Sequence, residues 1–85
     1  MNLPTRYQPP SEADTLLAMR DNQHALETAC ARFEELWEVS NRGEKLPPEA
    51  VIRGVLREIV SKAELLELNF ISLGMLRDYP HLTRP

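Results

Sequence analysis

Two long stretches of the chain place apolar side chains at alternating steps of three and four. The first runs through Leu16, Met19, Leu26, Cys30, Phe33 and Trp37, with Gln23 in the one vacant slot. Steps of this size keep returning to one side of an α-helix, so the pattern predicts a helix with a single packing stripe. The second runs through Ile52, Leu56, Ile59, Ala63, Leu66, Phe70 and Leu73 and predicts the same for the later half. No glycine-bounded run of β-branched residues suggests a strand.

Polar residues and prolines set the limits of both elements. Ser11, three residues before Asp14, is a helix cap with acids in the first turn. Asn41, Arg42 and Gly43 supply a stop, and Pro47-Pro48 followed by Glu49 supplies a new start. The second helix is expected to end near Arg77, ahead of Asp78-Tyr79-Pro80, because the residue before a proline is pushed out of helical geometry. Each helix is then about 30 residues, or about 45 Å long. Equal lengths and a short connection imply an all-α fold, an antiparallel two-helix hairpin.

Residues 1–10 contain Pro4, Pro9 and Pro10, which favour an extended arm. The hairpin domain is expected over residues 11–80, with a short tail at 81–85. An alternative is that the first helix kinks near Asn22 and folds back as a third helix.

The stretch AELLELNFISLGML, residues 63–76, departs from a one-sided pattern. Leu68, Ile71 and Met75 point well away from the stripe, and Leu65 and Leu76 occupy a further sector. Residues 53–62 instead keep a polar back with Arg53, Arg57, Ser61 and Lys62. One neighbouring helix covers one side only, so Leu65, Leu68, Ile71, Met75 and Leu76 are expected to form a second interface. A homodimeric four-helix bundle would bury it, and so would another protein's helix.

With 85 residues, composition sharpens this expectation, because so short a chain buries a small fraction of its surface and usually needs help to be stable. Cys30 is the single cysteine and there are two histidines, so neither a disulfide nor a zinc framework can supply that help. Self-association or partner binding remains. A net charge of −3 speaks against nucleic acid as the main partner, since phosphate affinity comes from clustered Lys and Arg. The beginning MNLPTRYQPP lacks the basic start and apolar run of a secretory signal, and no segment has the roughly 18 uncharged apolar residues of a membrane span. A cytoplasmic location is the expectation, in keeping with a lone thiol.

Enzymatic chemistry needs a nucleophile, a base and a group that stabilises developing charge, and no such set is visible. Cys30 falls in the first stripe, where a cysteine behaves as a small hydrophobe. His24 and Glu27 share metal-ligand spacing, but one such pair is an ordinary feature of a helix surface. Glu34, Glu35 and Glu38 oppose the helix dipole and call for cations, which Arg42, Arg53 and Arg57 can provide. No cofactor is expected. At the open end of a hairpin, Arg6 and Tyr7 of the arm meet Tyr79, His81 and Arg84, and guanidinium groups beside aromatic planes suit a base-and-phosphate ligand or plug a bundle end.

IVSKAELLELN, residues 59–69, resembles the C-terminal helix of a family of small bacterial proteins of unknown function, with its Ile-Val, two residues, Ala-Glu-Leu-Leu and an Asn. TLLA at 15–18 and Ala25, Ala29 and Ala31 are similar to that family's first helix. This resemblance implies a helical hairpin and no activity. A second resemblance is to phage-encoded sponges that sequester cyclic nucleotides, carried by Arg6-Tyr7 ahead of Glu12 and Asp14 and by NFISLGMLR. It implies a small helical oligomer with a cyclic nucleotide at the arm and tail end. The expectation from the residues themselves is a non-enzymatic module that binds itself and another protein.

Overall fold

A computed structural model describes residues 11–79. Two helices, α1 (Glu12–Asn41) and α2 (Glu49–Asp78), pack against each other as an antiparallel hairpin, with no strand among the described residues. At the start of α1 the Ser11 hydroxyl accepts the Asp14 N–H at 3.1 Å, while the Thr15 hydroxyl donates to the Ser11 carbonyl at 3.0 Å. Helix α1 runs unbroken through Asn22, so the kinked alternative does not occur.

The stop lies where the polar residues place it. Gly43 adopts φ 71°, the left-handed region that a side chain disfavours. Its N–H donates to the Ser40 carbonyl at 3.2 Å, and the Glu44 N–H donates to that of Val39 at 3.2 Å. This paired pattern satisfies carbonyls that the helix end would leave unpaired. Pro48 caps α2, and the Val51 N–H donates to its carbonyl at 2.9 Å. At the far end Tyr79 turns out of helical geometry, with ψ 65° ahead of Pro80.

The two helices meet along rows different from those of largest hydrophobicity. On α1 the sheltered row is Thr15, Ala18, Asn22, Ala25, Ala29, Leu36 and Val39. On α2 it is Ile52, Val55, Ile59, Lys62, Leu66, Asn69, Leu73 and Leu76. Both keep the alternation of three and four, turned by roughly one residue from the expected stripes. Leu16, Cys30, Phe33 and Trp37 of the expected first stripe are exposed, Trp37 at 61%, while its Met19 and Leu26 are half-buried at the edge of the seam. On α2 the expected Ile52, Ile59, Leu66 and Leu73 do face inward, whereas Leu56, Ala63 and Phe70 do not.

The reason is steric and polar together. Alanines at 18, 25 and 29 leave room for the second helix that Phe33 or Trp37 would block. Midway along the seam, the Asn22 side-chain amide donates to Oδ1 of Asn69 at 2.8 Å, a pairing available at one register only. At the open end Arg77 Nε donates to the Glu12 carboxylate at 2.8 Å. Those two bridges set which residues lie level across the hairpin.

Losing one partner of the asparagine pair strands the other in a half-buried place. Asn69→Leu is expected to lower unfolding free energy by about 1 to 2 kcal/mol. Adding Asn22→Leu should return most of it, since neither amide is then orphaned. Urea unfolding of the two variants checks this.

Candidate interaction surface

Side chains buried within the hairpin are few. Among the described residues the buried apolar ones are Ala29 and Leu73, while fourteen large apolar side chains are exposed. The Cα atoms span 14 Å in the thinnest direction, so the helices form one layer with no interior of its own.

Several of the exposed apolar groups gather on one face. At the turn end Phe33, Leu36, Trp37, Ile52 and Leu56 line one depression, which places the exposed rows of both helices on the same broad face. The Glu12–Arg77 bridge joins the same two rows at the open end. Following each row by helical period adds Met19 and Leu26 on α1, and Ala63 and Phe70 on α2. Both phenylalanines and the single tryptophan of the chain lie on this face, at 40%, 62% and 61% exposure for Phe33, Phe70 and Trp37. Charged groups appear on it mainly at its end, where Glu12 and Arg77 neutralise each other.

The opposite broad face is different in chemistry. Arg32 and Glu35 of α1 line a depression there together with Leu36, Val39, Leu46, Val51 and Val55, so charged and apolar groups are mixed, and the Lys62–Glu58 pair at 3.7 Å lies further along the same face.

A second apolar stripe follows the outer side of α2. Leu68, Ile71 and Met75, expected from sequence as an interface, are exposed at 59%, 53% and 50%, spaced as one stripe on the side turned from α1. Leu65 is 38% exposed at the margin of the opposite broad face. Leu76 is half-buried in the seam beside Leu73. The structure therefore brings Leu68, Ile71 and Met75 together and sets Leu76 apart from them.

Tyr79, at the C-terminal end of α2, is 52% exposed. Arg6, Tyr7, His81 and Arg84, the other members of the expected ligand end, lie outside the described residues. Among the described residues no group of three or more His, Cys, Asp and Glu could hold a metal ion, and no helix is long and apolar enough to cross a membrane. Arg42 bridges Glu38 at 3.8 Å and Glu44 at 2.7 Å, and Arg53 pairs with Glu49. These exposed pairs contribute less than about 1 kcal/mol each.

The broad apolar face is what the sequence reading missed. The alternation of three and four places its members in the contact within the hairpin. The signal that separates the two roles is the row of small residues Ala18, Ala25 and Ala29 one step from the large ones, which marks where helices approach closely. The chain matches no protein-family model, no curated protein and no solved structure.

Proposed function

We propose that this chain is a non-enzymatic protein–protein interaction module of the inhibitor or adaptor type, which engages its partner through the outer apolar stripe of α2. The observation that carries this reading is the placement of Leu68, Ile71 and Met75, each half or more exposed on the side of α2 turned from α1. They stand at positions i, i+3 and i+7, the spacing by which one helix anchors another in a groove. The partner this fits is an amphipathic helix of another protein, bringing apolar anchors to the stripe. Flanking Glu64 and Glu67 supply an acidic rim that sets its direction.

Burying an isoleucine is worth about 1.5 to 3 kcal/mol, so Ile71→Glu is expected to weaken the complex at least tenfold. The test is affinity capture from the native host with wild type and Ile71→Glu side by side, with helicity of both measured by circular dichroism. A protein retained by wild type and lost from an equally helical Ile71→Glu supports the reading. Identical proteins in identical amounts from both would overturn it.

A further inference from the structure

We propose that the broad apolar face is closed by a second copy of this chain, laid across it with its turn at the opposite end, about a twofold axis level with Leu26 and Ala63. This goes beyond the outer stripe and does not depend on it. The occupant is argued from how the face matches itself.

The levels come from the hairpin's own bridges. Asn22 lies level with Asn69 and Glu12 with Arg77, so Leu26 lies level with Ala63 to within about two residues, or about 3 Å. Both are at the middle of their helices, Glu12–Asn41 and Glu49–Asp78. A half-turn about that level therefore overlays the full length of both helices on their counterparts.

The same half-turn matches side chains by size. Met19 comes opposite Phe33 of the second copy, and Leu56 opposite Phe70. In the central layer Leu26 meets its own counterpart, and Ala63, meeting its own, leaves the space this needs. Every layer then holds the large residues in equal numbers from both copies, as an isologous interface requires.

The margins decide between this arrangement and one with both turns at the same end. Along the outer margin of α1 stand Leu16, Gln23, Cys30 and Trp37, all exposed, apolar but for Gln23. The corresponding margin of α2 carries Arg53, Glu67 and Gly74 beside Val60. With α1 lying on α1, Leu16 meets Trp37 and the apolar margin is covered by itself. With α1 lying on α2, Trp37 and Leu16 would meet Arg53 and Gly74. The half-turn also brings Arg77 level with Glu49 of the second copy, opposite charges at both ends of the bundle.

The area is sufficient. Two helices about 45 Å long with axes 8 to 10 Å apart present roughly 800 Å² per copy, the size of a stable specific interface.

The full-length chain is measured by light scattering after gel filtration, with disulfide trapping in a Cys30→Ser background under oxidised glutathione. The expected mass of wild type is twice the 9.8 kDa chain, and Phe70→Glu should halve it. Leu26→Cys and Ala63→Cys should each form cross-linked dimers on their own, because each lies against its counterpart at the axis. Ile71→Cys should stay uncross-linked, and Ile71→Glu should remain dimeric, so loss of partner capture and loss of the dimer are separable. A monomeric wild type overturns the proposal. So does cross-linking that appears only when Leu26→Cys and Ala63→Cys are mixed, which means both turns share one end. Cross-linking through Ile71→Cys in place of Leu26→Cys overturns it as well, and these trapping results stand even if Phe70→Glu does not fold.

Discussion

Ala29→Leu is expected to force the hairpin apart and to lower unfolding free energy by about 1 to 3 kcal/mol. Ala29 is the most buried apolar residue among those described, at 2% exposure, and its level on α2 falls between Ile59 and Leu66. Three further carbons there have nowhere to go except against α2. The helices must separate or the leucine must leave its preferred rotamers, and either outcome loosens the Asn22–Asn69 bond nearby. Helix propensity does not confuse the reading, because alanine and leucine rank close together.

Ala31→Leu provides the control. Ala31 is exposed on the same helix two residues on, so the identical chemical change is expected to stay within about 0.5 kcal/mol. Urea unfolding followed by circular dichroism checks both variants. Equal midpoints for the two would mean that the small-residue seam does not hold the hairpin.

Leu73→Ala is expected to cost about 2 to 5 kcal/mol, by loss of transferred surface and by the cavity left between the helices. Leu73, 7% exposed, is the one large side chain buried within the hairpin. A single core in so small a domain supplies only about 3 to 5 kcal/mol, so this variant should be largely unfolded at room temperature. Leu68→Ala deletes the same atoms from a side chain 59% exposed and should cost well under half as much. The comparison is read from thermal unfolding at one fixed chain concentration, since association stabilises by mass action. Equal losses at 73 and 68 would place the stabilising contact outside the hairpin seam.

These effects have a common origin in how little the protomer buries. A layer two helices wide shelters the inner row of each helix and leaves the next row in water. The stability of the hairpin therefore depends on a small number of positions, and its phenylalanines and tryptophan are left outside the seam. That division also relates the two interfaces proposed. The broad face would be covered by a second copy, and the outer stripe of α2 would remain accessible on the resulting bundle.

The order of residues by itself determined the two helices, their ends and their antiparallel pairing. Ser11, Gly43, Pro48 and the Tyr79–Pro80 step act within a turn of their own position, so their effect can be read locally. The outer stripe at Leu68, Ile71 and Met75 was legible too, because no single neighbour covers a helix that is apolar nearly all round. Only the tertiary structure decided which row of each helix forms the seam. Hydrophobicity states that Phe33, Trp37, Leu56 and Phe70 favour leaving water, and it is silent about what covers them. The choice fell to close approach over Ala25 and Ala29 and to the Asn22–Asn69 bond, both of which exist only between residues far apart in the chain.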